Sequence, residues 1–94
     1  MITENQLTSR GFRTFVYPRH LRRDNHKRMI LIEYFGQEIL EIRMVLVDGK
    51  WEIEKKEVTR VDGSQSSLDL SGLVGAGDLL EFLKAIRDRN ESSL

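Results

Sequence analysis

Hydrophobic and polar positions alternate through the middle of the chain and switch to helical spacing at its two ends. Met29–Phe35, Ile39–Val47 and Lys50–Val58 are rich in β-branched and aromatic residues, and Gly36-Gln37-Glu38 and Asp48-Gly49 separate them. Such runs, bounded by turn residues, read as strands joined by hairpins. Asp-Gly is the clearest of these signals, because a type I′ turn needs positive φ at both central residues.

A two-residue turn at Asp48-Gly49 sets Val47 opposite Lys50 and so fixes every pair further along the two strands. Leu46 then meets Trp51 and Met44 meets Ile53 on one face, while Arg43 meets Glu54 and Glu41 meets Lys56 on the other. A slip of one residue inverts both faces, so agreement on both predicts this register. The apolar parity changes between Ile53 and Val58, which predicts a bulge before Val58–Val61. At the first hairpin, a two-residue loop would set Glu33 against Leu40. A three-residue loop at Gly36-Gln37-Glu38 sets Glu33 against Glu41 but brings Ile30, Ile32 and Tyr34 onto the Leu40/Ile42/Met44/Leu46 face. The completed apolar face makes the three-residue loop the expected one.

The flanks carry the helices. Thr3 and Gln6 have capping-box spacing, and Gly11 stands where a short helix needs a left-handed exit residue. Phe12–Tyr17 then reads as a strand that Pro18 ends. Leu68-Asp69-Leu70 alternates like a further short strand. From about Asp78 to Asp88, Leu79, Leu80, Leu83 and Ile86 form one apolar stripe, with Asp78 and Glu81 at capping-box spacing. Residues 90–94 are expected to fray. The predicted fold is α+β: one domain over residues 1–94, with an antiparallel meander of four or five strands, a short N-terminal helix and a C-terminal amphipathic helix.

Composition narrows the setting. The chain has no cysteine, which favours a reducing compartment. Its N-terminal residues lack the apolar stretch of a signal peptide, and its longest apolar runs fall short of the ~20 residues of a membrane-spanning helix. A cytoplasmic protein that does not enter a membrane is expected. The net charge is zero, yet residues 1–30 carry +5 and residues 31–94 carry −5. Either the halves pair within the fold, or the basic part meets a polyanion.

Candidate chemistry is sparse. Gly72–Gly77 precedes a helix, but no βαβ unit follows, and Asp78 places a negative charge where an anion would bind. Glu54-Lys55-Lys56, with Asp48, has a spacing found in metal-dependent nucleases, but the expected register commits Glu54 to Arg43. His20 and His26 are only two ligands, set among arginines that repel a cation. No catalytic, metal-binding or cofactor-binding residue is therefore assigned, and no cofactor is expected.

Two surfaces remain. Arg19, Arg22, Arg23, Lys27 and Arg28 form a basic segment suited to nucleic-acid phosphates, with Phe15 and Tyr17 near enough to stack on a base. Met29, Leu31, Phe35, Val45 and Val47 fall on the second sheet face, where an apolar surface ringed by charge suits an interface. The leading expectation is a non-enzymatic interaction module that pairs with itself as a homodimer, or with another protein, through that face. Nucleic-acid binding by residues 19–28 is the alternative.

Overall fold

The computed structural model describes residues 1–66 and 68–92, with residues 90–92 by backbone alone. Helix α1 (Glu4–Ser9) leads into β1 (Arg13–Phe15), and a long connection containing a 3-10 turn at Arg19–Leu21 follows. Then come β2 (Arg28–Phe35), β3 (Glu38–Val47), β4 (Lys50–Arg60) and, after an irregular stretch, helix α2 (Leu79–Ser92). The strands form one antiparallel sheet in the order β1-β2-β3-β4. The α+β meander predicted from the pattern is the fold. Leu68 and Leu70 do not form a strand. They pack instead as partly buried plugs against the core.

Local chemistry accounts for the ends of α1. The Gln6 amide donates to Thr3 Oγ1 at 3.2 Å and the Thr3 amide donates to Gln6 Oε1 at 2.9 Å, completing the capping box. The chain leaves through Gly11 at φ +102°, a conformation that costs other residues their Cβ clearance. A Cβ there would also stand 3.3 Å from Leu31 Cδ1, so glycine lets the turn seat on the sheet.

Both hairpins have two-residue loops. Asp48 (φ 51°) and Gly49 (φ 77°) supply the two positive angles of the expected turn, and Val47 pairs with Lys50. At the first hairpin Gly36 alone is positive, at φ 62°, and Phe35 pairs with Glu38. Glycine at the first central position is the requirement of a type II′ turn. This overturns the expected three-residue loop and inverts β2. Met29 now faces Met44, Leu31 faces Ile42 and Glu33 faces Leu40, so Glu33 no longer opposes Glu41.

Inversion decides which residues form the core. Met29, Leu31 and Phe35 lie inside with Leu40, Ile42, Met44 and Trp51, beneath Leu7, Leu79, Leu83 and Ile86 of the helices. The expected interface set of Met29, Leu31, Phe35, Val45 and Val47 is therefore not an exposed surface. Its first three members are core, Val45 is 8% exposed, and Val47 is half-buried. Ile30, Ile32 and Tyr34 take the outer face instead.

The bulge predicted between Ile53 and Val58 lies at Glu54. Met44 pairs with Ile53 but Arg43 pairs with Lys55, so the ladder passes over Glu54. One extra residue lets both Glu54 and Lys55 serve the outer face, where regular alternation would send one inward. The expected Glu41–Lys56 pair is replaced accordingly: Glu41 meets Lys55 at 3.2 Å, and the Lys56 ammonium donates to the Leu73 carbonyl. Before α2, Asp78 closes the 3-10 turn Ala76–Asp78 rather than capping the helix toward Glu81. Its Oδ2 accepts from the Gly75 amide at 3.1 Å and the Val74 amide at 3.3 Å. Helix α2 continues through Ser92, and the expected fraying of 90–94 falls partly outside the described residues. No helix among them is long and apolar enough to cross a membrane.

Candidate functional site

The connection between β1 and β2 lies against one half of the outer sheet face, and an aromatic–arginine cluster joins them. Phe15 and Tyr17 meet edge to face at 4.9 Å, an arrangement their ring quadrupoles favour. From β3, the Arg43 guanidinium sits 4.5 Å from the Phe15 centroid and 5.3 Å from that of Tyr17. It donates to the Tyr17 hydroxyl at 2.7 Å, and that hydroxyl donates to Glu54 Oε1 at 2.8 Å. Arg43 stands a further 3.6 Å from Glu54 and 3.5 Å from Glu41, while its buried Nε has no hydrogen-bond partner.

Arg28 completes the cluster from β2. Its Nε donates to Glu54 Oε2 at 2.5 Å, and its two terminal nitrogens reach Asp24 Oδ1 and Oδ2 at 2.7 and 2.9 Å. The same guanidinium lies 4.9 Å over the Tyr17 ring. Hydrogen bonds from Arg28 and then from the His26 amide hold the Asp24 carboxyl well below the usual carboxylate range. For Glu54, partial burial pushes upward, but the bonds and charges of Arg28, Tyr17 and Arg43 outweigh it and the net shift is downward. Arg28 itself is raised, chiefly by Asp24.

These contacts divide the expected basic segment. Arg28 is turned inward and spent, and Lys27 pairs with Glu4 of α1. Arg22 gives one N–H to the Tyr17 carbonyl at 3.2 Å. Arg19 and Arg23 are exposed, and neither side chain forms an ion pair among the described residues. Beside them opens a cleft of about 490 Å³ lined by Tyr17, His20, Leu21, Arg22, Arg23, Asp24, Arg28 and Glu54. A smaller cavity of about 220 Å³ is lined by Thr14–Tyr17, Arg22 and Asp24–Arg28 and shares Tyr17, Arg22, Asp24 and Arg28 with the cleft.

The other candidates are not brought together. Asp48 stands in the turn, while Glu54 lies four residues along β4 from Lys50, about 13 Å at the usual rise of about 3.3 Å per residue. Among the described residues no group of His, Asp or Glu gathers to hold a metal ion. The Val74 and Gly75 amides that a phosphate would need at the glycine-rich turn are already donated to Asp78. Reading the sequence missed Tyr17 and Arg43 as the centre of the cluster. The parity change after Ile53 was the available signal, since a bulge there frees Glu54 from its place in the ladder.

The remaining half of the outer face is uncovered. Tyr34 pairs with Ile39 across β2 and β3, and Ile32 and Ile30 continue the stripe. Ile32 is 54% exposed and Tyr34 65%. Arg13 of β1 borders the stripe on one side, and Glu41 and Glu57 border it on the other.

Compared with protein-family models, curated proteins and solved structures, the chain finds no match.

Proposed function

We propose that this chain is a non-enzymatic interaction module of the cytoplasm that pairs with a second copy of itself through the uncovered half of its outer sheet face. The observation that carries the reading is the stripe of exposed Ile32 and Tyr34, flanked by half-buried Ile30 and Ile39, on the side away from both helices. Large aliphatic and aromatic side chains adjacent on one strand pair, rimmed by charge, are the composition of an interface rather than of an ordinary wet sheet face.

A second copy fits this surface because an apolar stripe is complementary to itself. An isologous contact must be complementary to itself. A two-fold axis along the strands lays β1 of one copy over β4 of the other, where Lys55 pairs with Glu41 and Glu57 and leaves that rim close to neutral. The zero net charge adds no overall repulsion between copies. The non-enzymatic part rests on Glu54, the one carboxylate of the nuclease-like triplet, which is committed to Arg28 and Tyr17.

Sedimentation velocity across a hundredfold concentration range tests the reading. A dimer that dissociates on dilution is expected, and Ile32→Asp with Tyr34→Asp should leave a folded monomer. A monomer at every concentration, or a dimer indifferent to both substitutions, overturns it.

A further inference from the structure

We infer that the cleft beneath the basic connection is a binding site for a phosphate group, with Arg22 and Arg23 as its principal ligands. The inference starts from how charge is distributed around the cleft. Arg28 and Arg43 are matched by Asp24 and Glu54 in a closed network, and their hydrogen bonds consume those carboxylates. Asp24 accepts Arg28 on both oxygens and the His26 amide on one of them. Glu54 accepts Arg28 on one oxygen and Tyr17 on the other. The two acids that line the cleft are therefore neutralised within it. Among the described residues, Arg22 and Arg23 are left lining it without a carboxylate of their own.

The donors suit an oxyanion. A guanidinium presents several N–H groups in a planar fork that matches phosphate oxygens. Arg22 spends one nitrogen on the Tyr17 carbonyl, which holds the head in place and leaves its other donors available. Ordering a side chain before the ligand arrives reduces the entropy lost on binding. The volume, about 490 Å³, lies within the range of small-molecule sites.

The same geometry removes base stacking from the reading. Tyr17 already carries Arg28 at 4.9 Å and Arg43 at 5.3 Å, and Phe15 carries Arg43 at 4.5 Å. Both rings are thus occupied by arginine, and recognition in the cleft is assigned to the phosphate. The phosphate can belong to a small molecule or to a nucleic-acid backbone, and the two sources differ in valency.

Titration of the ¹⁵N-labelled protein with inorganic pyrophosphate, and separately with a twelve-nucleotide single-stranded DNA, tests the site at low salt. Pyrophosphate is expected to shift the resonances of residues 19–24, and Arg22→Ala with Arg23→Ala should weaken it at least tenfold. Lys84→Ala, on the exposed face of α2 and outside the cleft lining, should leave the affinity within twofold. A DNA affinity that exceeds that of pyrophosphate, and falls with salt in proportion to several phosphates, assigns the source to nucleic acid. Equal or weaker DNA binding assigns it to a small molecule. No shift with either probe, or shifts unchanged by the double substitution, overturns the proposal.

Discussion

Arg87 of α2 holds Glu33 of β2 through two parallel hydrogen bonds, at 2.9 and 2.7 Å, and its fork also reaches the Arg10 carbonyl at 2.7 Å. One side chain thus ties the C-terminal helix to the sheet and to the exit of α1. Both members of the pair are about a quarter exposed, so solvent screens part of the attraction. Glu33 points to the core side of β2 only because the first hairpin has a two-residue loop, and Arg87 is what makes that placement tolerable.

Arg87→Met should therefore cost about 1–2 kcal/mol, the range of hydrogen bonds to charged groups after screening. In a domain of this size each kcal/mol lowers Tm by about 4–8 °C, which differential scanning calorimetry resolves. Glu33→Gln combined with Arg87→Met should cost less than the sum of the two single changes. Additivity in that cycle would show that the pair contributes nothing.

Much of the sheet was legible in the chain because two-residue turns translate directly into register. Asp48-Gly49 announced a type I′ turn, and the pairs from Val47–Lys50 to Met44–Ile53 follow from it. The first hairpin was misread because β2 is apolar on both faces: Met29, Leu31 and Phe35 on one, Ile30, Ile32 and Tyr34 on the other. Hydrophobic parity cannot choose between two such faces. The choice fell instead to turn chemistry at Gly36 and to the repulsion between Glu33 and Glu41 that a three-residue loop would impose.

Gly36→Val should expose that balance. Valine is poorly accommodated at φ 62°, where a β-branched residue costs about 1–2 kcal/mol. The expected result is a lower denaturation midpoint with an unchanged slope against denaturant. Gly36→Asn, which tolerates the left-handed region better, should recover much of the loss. Equal effects from both substitutions would mean that φ at Gly36 does not control the hairpin.

The candidate site was only half legible. Its basic residues stand out in the sequence, but which of them are free depends on partners far along the chain: Glu54 for Arg28, Glu4 for Lys27. A linear charge count cannot see that Asp24 and Glu54 neutralise the inner arginines and leave the outer ones uncompensated. Tyr17 became visible as a hub only once the bulge had brought Glu54 within 2.8 Å of its hydroxyl.

Core and outer face should respond differently to truncation. Leu83 of α2 is fully buried, so Leu83→Ala should cost about 2–5 kcal/mol through lost contacts and the cavity left behind. Ile32→Ala on the uncovered face should change monomer stability by no more than about 0.5 kcal/mol. Urea denaturation at low micromolar protein distinguishes them. A large loss for Ile32→Ala at that concentration would place Ile32 in the core, against the two-residue loop.

Acid should release the basic connection before it unfolds the core. Asp24 and Glu54 both have folded values below their ordinary 3.8 and 4.5, so the folded state binds their protons more weakly than the unfolded chain does. Their contribution is fully present above those ordinary values and declines as pH falls through them. Asp62 and Asp69 are lowered too, by their hydrogen bonds with Ser64 and Ser71, so a global melting curve will not isolate the connection. The His26 amide will, because it donates to Asp24 Oδ1 at 2.9 Å. Its hydrogen-exchange protection, followed from pH 6 downward, should fall while amides of β3 and β4 stay protected. Asp24→Asn should abolish that early loss by removing the titrating group. If His26 and the central strands lose protection together in both proteins, then Arg28 does not pin the connection and the aromatic contacts of Phe15 and Tyr17 hold it instead.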